Sequence, residues 1–190
     1  MSHKNDKPVS LPSIDQIESE MNKIKYKSKF LKTLLSTLSV LVVVAAAAVL
    51  LSTLIFPVVQ VSGDSMEPTF SSGDILVLVK TKDIHSGDLC CASWQNKNLL
   101  KRVIGMPGDI VDIKENGDVY VNGKLLDEPY VKEKSLGKCD LEFPVQVPED
   151  KYFFLGDQRD NSADSRNEAI GCISEDQIVG RVMFQIWPFE

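Results

Sequence analysis

Residues 33–56 read TLLSTLSVLVVVAAAAVLLSTLIF, 24 positions without an ionisable side chain. As a helix rising ~1.5 Å per residue, this stretch is about 36 Å long, enough to cross a hydrocarbon core of about 30 Å with some tilt. Only a helix satisfies its own backbone polar groups there, so the run of valines is no obstacle. A cleavable signal peptide reads differently, with an apolar core of about 7–15 residues closing on a small-residue cleavage site. Here the alanines at 45–48 sit in the middle of the run, and residues 49–56 beyond them stay largely apolar. The stretch is therefore expected to be an uncleaved transmembrane helix. It divides the chain into an N-terminal segment (1–32), the span (33–56) and a folded region (57–190).

Charge is unevenly spread across these parts. The 190 residues include 21 Lys and Arg against 27 Asp and Glu, a net charge of −6. Residues 1–32 hold seven Lys and four acids, whereas residues 57–190 hold 14 basic and 23 acidic side chains. Lys23, Lys25, Lys27, Lys29 and Lys32 crowd against the span, and no Lys or Arg follows it until Lys80. Positive flanks stay in the cytoplasm, so the N-terminus is expected inside and residues 57–190 outside. The acidic balance argues against a nucleic-acid partner, which usually meets a basic face. Residues 14–24 can form a short helix, but nothing in them reads as a site.

Beyond residue 57 the pattern becomes that of strands. Short apolar or alternating runs recur at 58–62, 75–80, 89–94, 99–104, 110–114, 119–121, 143–147, 152–155 and 178–187. Ser72-Gly73-Asp74, Ser86-Gly87-Asp88, Pro107-Gly108-Asp109, Asn116-Gly117 and Asn122-Gly123 punctuate them. The two Asn-Gly pairs suit hairpin turns, since both residues tolerate positive φ. No long helical periodicity appears. The expected fold is an all-β domain of antiparallel sheets, closed as a barrel or packed as a pair, behind one N-terminal helix. Residues 132–142, KEKSLGKCDLE, read as a surface loop.

Three polar segments stand out against this background: Ser62 to Thr69, Lys101 to Asp109, and Gly156 to Arg166. A serine hydroxyl at Ser65 needs a positioned base. The chain has two histidines; His3 falls on the other side of the span, and His85 sits in a polar turn, a weak candidate for a Ser65–His85 dyad. Two histidines also exclude multi-histidine metal sites, and the cysteines at 90, 91, 139 and 172 lack C-x-x-C spacing, so no zinc site is evident. Lysine is the remaining strong base. Its free pKa is ~10.4, lowered where apolar surroundings strip the ammonium of solvent. Lys101, between Leu99-Leu100 and Val103-Ile104, fits such a place, although a strand-edge lysine facing water reads equally well from the local pattern. The third segment leaves an apolar run (Tyr152 to Leu155) and holds three Asp and two Arg in eleven positions. Loops leaving rigid strand ends often carry sites, and Asp–Arg pairs there can form a bidentate platform.

Together these segments resemble type I signal peptidases of the small, single-span kind. Gly63-x-Ser65-Met66-x-Pro68-Thr69 looks like that family's nucleophile box, and Gly73-Asp74-Ile75-Leu76-Val77 is similar to the strand box that follows it. Lys101 to Asp109 looks like the general-base box, and Gly156-Asp157-x-Arg159-x-Asn161-Ser162-x-Asp164-Ser165-Arg166 like the last one. The resemblance covers most of residues 57–190, in the family's order. It implies a serine endopeptidase that removes signal peptides from exported preproteins, without cofactor or metal, at a plasma membrane. Ser65 would be the acylating nucleophile and Lys101 its neutral base. Ser162 would hold the lysine by a hydrogen bond, and Asp157, Arg159, Asp164 and Arg166 would scaffold the site. Val61 and Met66 would wall pockets for small side chains, and the Ser65 N–H would serve the oxyanion. Gly63 stands where some members carry a serine that donates to the oxyanion, and Gln158 where asparagine is commoner.

Two other readings stay open on the residues alone: a dedicated peptidase for one narrow client such as a pilin, and a membrane-anchored homologue that binds without cleaving. Self-cleaving repressor-type Ser–Lys proteases carry a DNA-binding domain that this chain lacks. Exported cysteines often pair. Cys90 and Cys91 are adjacent on a strand and point to opposite faces, so Cys139 with Cys172 is the better couple; four free thiols is the alternative.

Overall fold

The computed structural model describes residues 13–188. His3, with the rest of the first twelve positions of the N-terminal segment, lies outside them. The chain divides into two compact units, Met1–Leu51 and Ser52–Glu190.

The first element is a single helix, α1 (Ile14–Ile55), of 42 residues. The short helix expected at 14–24 and the expected span are thus one continuous element. Its start is fixed by a reciprocal cap: the Gln16 N–H donates to Ser13 Oγ at 3.3 Å and the Ser13 N–H to Gln16 Oε1 at 3.1 Å, satisfying donors the first turn leaves orphaned. No Gly or Pro interrupts it until Pro57, which cannot continue a helix. None of its side chains is buried, and it is long and apolar enough to cross a membrane.

The second unit is built from strands β1 (Val58–Gln60), β2 (Ile75–Val79), β3 (Leu89–Trp94), β4 (Lys97–Gly105), β5 (Ile110–Ile113), β6 (Val119–Val121), β7 (Lys124–Leu125), β8 (Val145–Gln146), β9 (Lys151–Leu155), β10 (Ile173–Ser174) and β11 (Ile178–Trp187). Every pairing is antiparallel. A seven-stranded sheet runs β1-β2-β11-β3-β4-β9-β10 and a four-stranded one runs β7-β6-β5-β8. These are two open sheets, not a closed barrel. The short pairs β7 and β10 escape a pattern search because two residues show no period.

Turn chemistry explains most of the hairpins. Asn122 and Gly123 both have positive φ, 53° and 78°, as a two-residue β6–β7 turn requires. At Asn116-Gly117 only the glycine does, at 83°. The β3–β4 hairpin closes on Gln95-Asn96, with φ of 45° and 62°. That turn has no glycine to mark it in the sequence, and β4 starts at Lys97 rather than at residue 99.

The strands bury three apolar clusters. Met66, Phe70, Leu76, Leu78 and Cys91 form one; Cys90, Val103, Tyr152 and Phe154 another; Ile104, Val111, Val119, Phe153 and Leu155 the third. The segment 132–142, expected to be a plain surface loop, is tied into the fold. Leu136 and Leu141 pack against the third cluster, and the Leu136 carbonyl accepts from Arg166 Nη1 at 2.6 Å. A polar composition concealed this, because the tie is made by two leucines and a backbone carbonyl.

Candidate active site

Ser65 lies in the connection between β1 and β2. The loop is held at its base by the Val61 N–H donating to Asp74 O at 2.8 Å and the Gly73 N–H to Val61 O at 2.9 Å. Met66, 1% exposed, plugs the core immediately beside it, so the nucleophile's neighbour is an anchor. Lys101 sits in the middle of β4, paired with Cys90 of β3. The two side chains meet: Lys101 Nζ donates to Ser65 Oγ at 2.7 Å. Lys101 is only 5% exposed, which removes the reading of a strand-edge lysine facing water. Burial holds its ammonium below the ordinary lysine range; the Asp164 and Asp157 carboxylates pull the other way, and Arg166 adds to the lowering. Desolvation dominates because both aspartates spend their charge on arginines.

Those arginine pairs form a buried frame. Asp157 receives Arg102 Nε at 2.9 Å and Nη2 at 2.6 Å, and the Thr69 hydroxyl also donates to it. The Arg102 guanidinium stacks 3.8 Å over the Tyr130 ring and donates to Gly87 O at 2.9 Å. Arg166 grips Asp164 through Nε at 2.9 Å and Nη2 at 2.8 Å. Arg159 pairs with Glu128 at 2.6 Å and 3.2 Å. All three are fork-to-fork pairs of the strong, directional kind. Only Asp164–Arg166 is internal to the last polar segment. Glu128 and Tyr130 were not singled out by sequence, and Arg102 and Thr69 only as members of their boxes, since the partners lie 28 to 88 positions apart.

The last segment is also threaded to the nucleophile. The Gln158 N–H donates to Ser65 O at 3.1 Å, and the Gly156 N–H to Asp164 Oδ2 at 3.0 Å. A Cβ on Gly156 would meet Ser162 Oγ and, at 2.6 Å, the Ser65 carbonyl oxygen, so only glycine lets the two loops approach this closely. Ser162 lies against that glycine. The hydrogen bond to the lysine that the resemblance implies is not made: Ser162 Oγ is buried with no hydrogen-bond partner. Among the described residues Lys101 Nζ donates to Ser65 Oγ and not to Ser162.

Ser65 and Lys101 line a cleft of about 300 Å³ together with Val59, Val61, Met66, Leu99 and Leu100. Val61 and Met66 thus line the same cleft as Ser65 and Lys101. Cys91 also lines it, but burial pushes its thiol up to about 11, so it is a poor rival nucleophile. All four cysteines are free. His85 is exposed, with Asp83 and Asp88 as its neighbours at 3.6 and 3.8 Å; it does not join Ser65. A larger groove of about 850 Å³, lined by Lys80, Lys82, Asp150 and Glu175 among others, holds neither Ser65 nor Lys101.

A buried amine against a half-exposed hydroxyl in a cleft is an arrangement that suits acyl transfer. Residues 34–187 match the family model for signal peptidase, peptidase S26. The chain is 35% identical to a signal peptidase I of Bacillus amyloliquefaciens over 184 residues, covering 91% of this chain and 96% of that one. It is 40% identical to signal peptidase IB of Staphylococcus aureus (strain N315) over 149 residues, 68% of this chain and 76% of the other. A crystal structure of a signal peptidase I from Enterococcus faecalis V583 is also similar, at 26% identity and a TM-score of 0.46, over 55% of this chain and all of that one. The chain belongs to the signal peptidase family, peptidase S26, and is a hydrolase that cleaves signal peptides.

Proposed function

We propose that the chain cleaves preproteins by a Ser–Lys dyad, with Ser65 as nucleophile and Lys101 as general base. The observation that carries this reading is the 2.7 Å contact between a 5%-exposed lysine nitrogen and Ser65 Oγ. At this separation the proton can lie on either atom. In the neutral form Lys101 Nζ takes the Ser65 hydroxyl proton as Oγ attacks the scissile carbonyl. The tetrahedral oxyanion is met by the Ser65 N–H, which donates to nothing among the described residues, so it is free to act where such donors matter most. Collapse expels the new N-terminus of the mature protein, which takes the proton from Lys101, and leaves the signal peptide acylated on Oγ. Water attacks that ester with Lys101 again as base.

The frame supports this as a scaffold. Asp157, Arg159, Asp164 and Arg166, with Arg102 and Glu128, hold the loop whose Gln158 N–H fixes Ser65. Ser162 fills the space between Gly156 and the nucleophile. Val61 and Met66 belong to the wall that small side chains before the cut would occupy. The substrates are exported preproteins with an A-x-A-like end to the signal peptide.

In the same reading residues 33–56 cross a plasma membrane once, residues 1–32 stay in the cytoplasm and residues 57–190 act outside. An apolar helix with no buried side chain is untenable in water and suits lipid, where its backbone is already satisfied.

The test is cleavage of a preprotein by the full-length enzyme in detergent, beside Ser65→Ala, Lys101→Ala and Lys101→Arg. Wild type alone should cleave, after an A-x-A-like site, with each variant down by at least ~10³-fold, the scale of losing a dyad member. The arginine variant fails because guanidinium stays protonated. Activity should rise with pH along a limb below the ~10.4 of free lysine. Appreciable turnover by Lys101→Arg would remove Lys101 as the base, and loss of cleavage in His85→Ala would move that role to the histidine.

A further inference from the structure

Besides the buried Cys91 thiol, two ionisable side chains line the cleft, Lys101 and Asp64. Their settings are opposite. Lys101 is buried and Asp64 exposed. Burial favours the neutral amine, the form in which Lys101 acts in the proposed reaction. The formal charge then left in the lining is the Asp64 carboxylate. Asn161 Nδ2 donates to its two oxygens at 3.1 and 3.0 Å, and Asn161 lines the cleft too. A neutral amide orients a carboxylate without cancelling its charge. Among the described residues no Lys, Arg or His is recorded in an ion pair with Asp64. Exposed Glu67, two positions past the nucleophile, adds to the same sign.

Position decides what meets that charge. Asp64 adjoins Ser65, their Cα atoms ~3.8 Å apart, so its carboxylate lies within a residue's length of the bond being cut. The apolar lining (Val59, Val61, Leu99, Leu100) suits the small apolar side chains that precede the cut. The polar lining also includes Gln60, Ser62 and Asn98, but Asp64 alone among them carries a carboxylate; it lies on the nucleophile's own loop, is held by Asn161 from the 156–166 segment, and is left for the residues that follow.

We propose that Asp64, oriented by Asn161, is a specificity-determining residue that favours preproteins with a basic residue, and disfavours those with an acidic one, at the first or second position after the scissile bond. This rests on the cleft being the active site, as argued above.

The experiment measures kcat/KM of the full-length enzyme in detergent on peptides that differ only by Lys, Gln or Glu at those two positions. At low salt the order should be Lys above Gln above Glu at one of the two positions, each step about three- to tenfold, the Coulomb preference of one charge pair ~6 Å apart in wet surroundings. At ~1 M salt, where screening acts within about 3 Å, the three values should converge. Asp64→Asn should flatten the low-salt series, whereas Asn161→Ala, which keeps the charge, should retain its order. A flat wild-type series, or a series unchanged in Asp64→Asn, overturns the proposal while Ser65-dependent cleavage leaves the active-site reading standing. Should Asp64→Asn be inactive on every peptide, the salt response of the wild type decides by itself. Cleavage by Ser65→Ala would overturn the active-site reading, and this inference with it.

Discussion

Lys101 places its nitrogen where an ammonium is poorly solvated, and that has a thermodynamic signature apart from catalysis. The unfolded chain holds a proton there up to ~10.4; the folded chain lets go at a lower pH. Between the two values the unfolded state binds more protons, so stability rises with pH across that window. Below it the penalty is full, and above ~10.4 it is gone. Each tenfold weakening of proton affinity is worth about 1.4 kcal/mol. Lys101→Met should therefore be more stable than wild type at pH 7, and its advantage should shrink as pH approaches 10.5, read by thermal unfolding of both proteins. An advantage independent of pH would mean that burial does not oppose the charge. For Ser65 and Lys101, elimination only narrowed the choice: without a usable histidine a lysine was left as base, a strand-edge Lys101 read equally well, and it was the resemblance that paired the two. The hydrogen bond that the resemblance implied for Ser162 was not legible in the same way. Which of two hydroxyls an amine reaches is set by loop positions, and those follow from Gly156 and the Gln158 backbone.

The frame around the site is made by pairs of elements that residue patterns do not connect. Arg102 on β4 clamps Asp157 beyond β9, and Glu128, in the connection between β7 and β8, clamps Arg159. Sequence showed a segment rich in Asp and Arg and suggested pairs within it. Two of the three pairs instead reach out, because arginines and carboxylates five or fewer positions apart in a tight loop cannot all face one another. The Glu128–Arg159 pair is buried, with side-chain exposures of 0% and 1%. Glu128→Ala leaves an unpaired guanidinium inside the protein, which should cost about 3–5 kcal/mol, seen as a fall in the denaturant midpoint. A loss under ~1 kcal/mol would place that pair in effective contact with water. The 132–142 segment belongs to this scale too. Gly137 has φ of 60°, and a Cβ there would stand 2.7 Å from Arg166 Nη1 and against Arg159 O. A stretch that looks dispensable by composition thus closes over two of the frame's arginines through its backbone.

At the scale of the whole chain, the positive segment before α1's apolar stretch and the acidic region after it argue for one orientation. Protease added to intact cells should digest residues 57–190 and spare 23–32, followed with antibodies to each end. The reverse pattern would overturn the proposed topology. Architecture class was readable because alternation and turn residues repeat through the second unit; strand order was not, since it depends on non-local pairing. That order has a consequence for synthesis. β11 follows the other ten described strands in sequence, yet lies between β2 and β3 in the seven-stranded sheet. Ser65 hangs from the β1–β2 side and Lys101 from the β3–β4 side. A nascent chain therefore carries Ser65 and Lys101 on separate hairpins until the ten residues of β11 have emerged and slotted between them. The pair is thus brought together late in synthesis, and a copy terminated before β11 would keep the two side chains apart.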